Sequence, residues 1–218
     1  MKKRSPRGDR VQAMTEVRED GSRGALWVWL SAWLLAVIAL AASGALRALS
    51  PVVIPLWVLT TNVVMVRAYR RGGALRAAVD GVGSAWVFSF QALRALIGVS
   101  FVYFGAKGVL PEAWAAHAGW GDIVVGVFAA ALALGGASGA RWRSLRMAFA
   151  VIGLADIASV LVHAQVVALI VKDARFYTVA PSLPFAVIPY FVVPLVFATH
   201  ALLVVRDLRA AGLRSGER

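Results

Sequence analysis

Three ionisable side chains interrupt long apolar runs in this sequence: Arg94, Asp122 and Asp156. An ionised group in hydrocarbon costs about 2.5–3.5 kcal/mol even on insertion scales, so such residues turn inward and pair. A desolvated guanidinium is all donor and needs carboxylates or carbonyls around it. Read by depth along its helix, Asp156 is the matched carboxylate for Arg94, with Asn62 a third partner at the same level. Gln91 and Arg94 are three apart and share one helix face, as do Asp156, Ser159 and His163. Asp122 and His163 fall toward one end of their helices, Gln91 and His200 toward the other. Gln165 is a further neutral polar group within an apolar run. Together these residues predict a polar column inside a helix bundle. One base faces two acids, an imbalance that a bound proton would settle, so the column suggests proton-coupled behaviour.

Each residue also has a plainer reading. Arg94 with Asp156 can be packing glue that fixes helix pairing. Asp122 follows Gly119, Trp120 and Gly121 and can cap a helix N-terminus through backbone N–H groups. His163 and His200 can ligate haem or a metal, or form hydrogen bonds between helices. His117 reads as a solvated loop residue. The last apolar run carries Pro184, Pro189 and Pro194. Pro184 suits a helix start. Pro189 and Pro194 each remove a backbone donor and free the carbonyl four residues earlier, at Phe185 and Tyr190. Those carbonyls must meet protein groups or water. A kinked helix follows, with Tyr190 and His200 best placed to serve a hinge or ion site. Gly135 and Gly139, four apart, suit close helix approach, within the chain or between two copies.

The elements that position these residues follow from composition. The chain has 218 residues, 60% apolar and 16% charged, with no cysteine. Soluble domains average about half apolar and a quarter charged. The excess falls in uncharged runs, which excludes a disordered chain and an ordinary soluble enzyme. The runs are continuous, not alternating, which excludes a β-barrel. The expected fold is all-α, a polytopic transmembrane bundle of six spans at about 25–46, 51–69, 84–106, 118–138, 147–171 and 184–206. Residues 1–24 read as a disordered basic tail and 208–218 as a short second tail. The second span is the shortest and contains Thr60, Thr61 and Asn62. The lack of cysteine removes disulfides and thiol chemistry. No metal site and no cofactor is predicted.

The formal charge is +12. It sets orientation in a bilayer and does not call for nucleic acid. Seven Lys and Arg precede the first span, four lie at 67–76, three at 141–146 and four from Arg206 on, 18 in all. Arg47, Lys107, Lys172 and Arg175 lie in the alternate loops. Cytoplasmic loops carry the excess, so both termini are expected in the cytoplasm. Trp27, Trp29, Tyr69, Trp86 and Trp142 fall near the inner boundaries, and Trp57, Tyr103, Trp114, Trp120 and Tyr177 near the outer ones. The partner so implied is the lipid bilayer itself, with a homo-oligomer through the Gly135/Gly139 face as an alternative use of those glycines.

The run Gln91-Ala-Leu-Arg94, then Leu110-Pro111, then Ala118-Gly119-Trp120-Gly121-Asp122 with Gly126, resembles a family of small bacterial integral membrane proteins of unknown function. Gly153-Leu-Ala-Asp156, Leu183-Pro184, Ile188-Pro189, Val193-Pro194 and His200 fit the same family. The resemblance covers about residues 85–205. It implies a polytopic fold in a bacterial cytoplasmic membrane and supplies no reaction. The motifs of nucleotide binding, zinc proteolysis and serine hydrolysis are missing. The functional readings are a small transporter, channel-like protein or sensor built on the polar column; a structural or accessory subunit; or an intramembrane enzyme or haem protein using His163 and His200.

Overall fold

The computed structural model describes residues 6–215, with side chains from Gly24 to Gly212. Helix dominates and no strand occurs among the described residues. α1 (Pro6–Ala42) is followed by a 3-10 turn at Ala45–Ala48, then α2 (Val53–Arg71) and α3 (Ala74–Gly81). α4 (Ser84–Ala92) and α5 (Arg94–Ala106) form one apolar rod broken at Leu93. α6 (Glu112–Leu134) and α7 (Arg143–Gln165) come next, and α7 runs on as a π-helical segment, Val166–Val171. α8 (Ala174–Val179) leads through turns to a second π-helical segment, Ile188–Val192, and to α9 (Val193–Ser215).

Five of these helical stretches are long and apolar enough to cross a membrane: Gly24–Ala42, Ser84–Ala106, Glu112–Leu134, Ala140–Val171 and Ile188–Gly212. α2 is helical over 19 residues, as the second predicted span requires. Asn62, Arg67, Arg70 and Arg71 dilute its apolar character, and it is not among the five.

Several boundaries differ from expectation. α1 begins at Pro6, so residues 6–23, expected to be disordered, continue the first helix. Extending an existing helix needs no new nucleus, and Gln12, Ala13, Met14 and Glu16 are good helix formers. Helix α3 occupies what the sequence reads as a loop, stitched to α2 by Tyr69 Oη donating to Asp80 at 2.7 Å and Arg76 Nε donating to the Tyr69 carbonyl at 2.8 Å. α6 starts at Glu112, six residues before the predicted 118. Pro184 lies in turns before the last helix and not at its first position. α9 continues past 206 to Ser215.

Side-chain pairings give the helix directions. α5 and α6 are antiparallel, with Gly98 against Gly119 and Ala95 against Gly126. A Cβ at Gly119 would lie 2.7 Å from the Gly98 carbonyl, so these backbones touch directly. α7 and α9 are antiparallel through Arg146–Asp207 and Gly153–His200. α4 opposes α9 through Gln91–Val196 and Ser84–Arg206. α2 instead runs parallel to α9, because Trp57 reaches Tyr190 and Asn62 reaches Pro194.

The surface inverts the usual pattern. Leu96, Val124, Ile170 and Leu134 are well exposed, while Asn62, Gln91, Arg94, Arg146, His200 and Asp207 are buried. Exposed large apolar side chains on these rods, with a few polar groups buried in an otherwise apolar core, suit helices that face an apolar solvent.

Candidate functional site

Arg94 opens α5, immediately after the break at Leu93, and is 3% exposed. Its Nε donates to Asp122 Oδ1 at 2.6 Å. Its Nη2 contacts the same oxygen at 2.6 Å and donates to Asp156 Oδ2. Nη1 lies 3.4 Å from His200 Nε2, and His200 is fully buried. One guanidinium from α5 therefore gathers a carboxylate from α6, a carboxylate from α7 and an imidazole from α9. With both carboxylates ionised the set is one negative charge in excess; one bound proton makes it neutral.

Glycines allow this convergence. At Gly121 a side chain would occupy the space of the Asp156 carboxylate, and at Gly153 that of the His200 ring. Gly119, Gly98 and Gly126 bring α6 onto α5. The run Gly119-Trp120-Gly121-Asp122 thus has a mechanical meaning. Its two glycines contact α5 and α7 respectively, while Trp120 is exposed and Asp122 turns to Arg94.

The expected pairing of Arg94 with Asp156 is present. Asp122 is placed differently from the prediction. Because α6 begins at Glu112, Asp122 stands ten residues in, about 15 Å along the helix, level with Arg94 and too deep to cap a helix start. Asn62 does not reach Arg94. Its Nδ2 donates to the carbonyls of Val58 at 2.7 Å and Pro194 at 3.3 Å. Gln91, fully buried one turn before Arg94, donates to Thr199 Oγ1 at 2.6 Å and to the Val196 carbonyl at 3.2 Å. It joins the cluster only through α9. The oxygens Asn62 Oδ1 and Gln91 Oε1, and His200 Nδ1, are buried without a hydrogen-bond partner among the described residues.

His163 belongs elsewhere. Its ring lies 5.1 Å from that of His117, and His117 Nε2 is 3.0 Å from Ser159 Oγ. His117 is thus an exposed residue of α6 with neighbours on α7, on a helix and not in a loop. On α7, His163 is ten residues from Gly153, which touches His200, a rise of about 15 Å. The two histidines cannot share one haem or metal. Among the described residues no three His, Asp or Glu side chains are grouped to hold a metal ion.

Tyr190 also lies outside the cluster, packed with Trp33, Ile54 and Ala186. Its backbone is engaged as proline chemistry requires: the Tyr190 carbonyl, freed by Pro194, accepts from Trp57 Nε1 at 3.0 Å. The Phe185 carbonyl, freed by Pro189, accepts from the Ile188 N–H at 2.9 Å. The disruption takes the form of the π-helical turn at Ile188–Val192. Gly135 caps the C-terminus of α6 and Gly139 sits in the following loop with φ 80°, so they do not share a helix face.

A second buried ion pair escaped the sequence reading. Arg146 and Asp207 pair in bidentate fashion, both bonds at 2.9 Å, and Arg146 Nη1 donates to the Gly139 carbonyl at 2.7 Å. From sequence alone, Arg146 counts among the basic residues of a loop and Asp207 is given no role. The available signal was one acid, Asp207, between Arg206 and Arg209.

The profile of a family described as a domain of unknown function, DUF8737, matches residues 51–208. The chain belongs to this family. The matched stretch runs from α2 into α9 and includes every residue of the Arg94 cluster and both members of the Arg146–Asp207 pair. Neither a curated protein nor a solved structure matches the chain.

Proposed function

We propose that this DUF8737 member is a multi-pass protein of a bacterial cytoplasmic membrane, with six crossings and both termini in the cytoplasm. The Arg94–Asp122–Asp156–His200 cluster is then its working site, in a small proton-coupled transporter, channel-like protein or sensor. Three features support the topology. The exterior is apolar along the rods. α2, at 19 residues, is about 28 Å long and lies parallel to α9, as an even number of alternating crossings demands. The arginine-rich loops fall at one end. The chain lacks cysteine, so each introduced cysteine is unique. Ser50→Cys should react with an impermeant maleimide added from the periplasmic side, and Ala74→Cys only after the membrane is opened. The reverse pattern sinks the orientation, and like behaviour of the two sinks the sixth crossing.

The observation that carries the functional reading is the convergence of two carboxylates and a buried imidazole on one guanidinium, with His200 Nδ1 and Gln91 Oε1 left unpartnered beside it. A set that only locked helices would be balanced and saturated. The test uses purified protein in vesicles loaded with a pH-sensitive dye. Asp156→Asn and Arg94→Ala should each change the proton flux or its dependence on a gradient. If both variants stay folded and neither changes any ion or proton flux, the transport reading fails.

A structural reading has one observation in its favour. Arg146–Asp207 shows that the chain also uses a buried pair to fasten α7 to α9. On that reading the Arg94 set is a second fastener, and its joint replacement by apolar residues leaves the cellular role intact.

A further inference from the structure

Arg94 and Asp122, two members of the cluster, line a cavity of about 90 Å³. Its walls are almost wholly apolar, including Phe101, Trp114, Ile157, Leu161, Phe185 and Val196, and its polar lining comes from Arg94 and Asp122. Residues of α8 and of the turns before the last helix, Phe176 and Ala180 among them, line it as well. Apolar cavities of roughly 150 Å³ stay dry and accept benzene; at about 90 Å³ this one takes a chain of few carbons as it stands and a single ring with a small outward shift of its side chains. The nature of its polar end fixes the ligand's head. Arg94 is already held by two carboxylates, and its Nε and Nη2 both use Asp122 Oδ1. Asp122 Oδ2 is left for an incoming donor. The excess negative charge repels an anionic head, the almost wholly apolar walls leave a cationic one desolvated, and a neutral donor meets neither cost.

We infer that this cavity binds a small, uncharged, apolar molecule with a single hydrogen-bond donor, its apolar body between Phe101, Trp114 and Leu161 and its donor on Asp122. The inference names the ligand class of the site proposed above and rests on that reading. A donor placed on Asp122 competes with any proton held there. Occupancy and protonation of the cluster are therefore linked, as a coupled carrier or a sensor requires.

The test titrates the full chain in lipid nanodiscs with 4-fluorophenol, fluorobenzene and 4-fluorobenzoate, read by fluorine NMR against empty nanodiscs. The phenol should show a saturable, protein-dependent signal. Fluorobenzene and the benzoate should each bind at least tenfold more weakly. Ala164→Phe, which fills the cavity from α7, should abolish the phenol signal; Val160→Phe serves if that variant does not fold. Asp122→Asn should weaken the phenol and leave fluorobenzene unchanged. The proposal is overturned if no saturable signal appears, if either comparison compound comes within tenfold, if a folded cavity-filled variant still binds, or if Asp122→Asn leaves the phenol's affinity unchanged. The assay contains no gradient. Its failure removes the ligand and leaves the flux reading standing, whereas silent flux with intact binding does the reverse.

Discussion

The ring of His200 lies against the backbone of Gly153, in the space that any side chain at that position would fill. A Cβ there would sit 2.8 Å from His200 Nδ1 and nearer still to two other ring atoms. His200 is fully buried and also packs at a tilt against Phe149, with ring centroids 4.9 Å apart, so it has little room in which to yield. Gly153→Ala should therefore push the imidazole from Arg94 and cost about 1–3 kcal/mol, the usual price of overpacking. Gly24→Ala, in a helix with nothing within 4 Å, should be neutral or stabilising by up to about 1 kcal/mol. Thermal unfolding in detergent compares the two directly; equal effects would refute the packing argument.

Removing one member of the Arg94 set should hurt more than removing all of it. Arg94→Leu leaves Asp122 and Asp156 facing each other without a cation. Breaking a buried pair in this way costs about 3–5 kcal/mol. Arg94→Leu with Asp122→Leu and Asp156→Leu removes all the charge and should recover most of that loss. Unfolding midpoints of the single and triple variants test the order, and a triple variant less stable than the single would contradict it. The same triple variant separates the two functional readings, since a fastener tolerates it and a proton site does not.

How much of this was legible in the residues depends on what each inference needed. Burial of Arg94 with Asp156 followed from the cost of charge in hydrocarbon and from counting depth along two helices. The capture of the Tyr190 carbonyl followed from the missing N–H of Pro194, although nothing in the sequence named Trp57 as the donor. Asp122 was misplaced because the apolar run was read from 118, whereas Glu112 to His117 are helical too. Polar residues at a helix end look like loop when only hydropathy is weighed. Gly135 and Gly139 have the spacing of a packing motif, but the helix stops at Leu134 and spacing has meaning only within a helix. Asn62 was matched to Arg94 by depth alone, and depth does not say which way a side chain faces around the axis.

Arg146 and Asp207, the pair that fastens α7 to α9, can be tested separately from the Arg94 set. Asp207→Ala strands a buried guanidinium that retains only the Gly139 carbonyl. It should lower stability by about 3–5 kcal/mol without altering ligand binding at Arg94. A loss of 4-fluorophenol binding in a folded Asp207→Ala protein would show that the two pairs are coupled through α7 and α9.

Acidity should act on the turn before α8. Asp173 caps α8 by accepting from the Arg175 N–H at 2.9 Å and also holds the Arg175 guanidinium. The Arg175 side-chain hydrogen bonds, with the Arg175 backbone bond and charge, lower its carboxyl from the ordinary value. A carboxyl whose pKa is lower folded than unfolded adds stability above the unfolded value, about 3.9. That stability is lost as pH falls through the lowered folded value. Protection of the amides of residues 174–180, taken against the unstructured-chain exchange rate at the same pH, should therefore fall below about pH 4. In Asp173→Ala that protection should be low at every pH, with no such step. A pH step that survives in the variant would assign it to another group.

The π-helical turn at Ile188–Val192 has one more implication. Trp57 and Asn62, both on α2, hold the carbonyls of Tyr190 and of Pro194 itself. Swinging the last helix would tear away both bonds unless its neighbour travelled with it. The two segments are thus yoked together, and because Arg146–Asp207 and the Gly153–His200 contact also bind the last helix to α7, α2 is tied through α9 to the helices that surround Arg94.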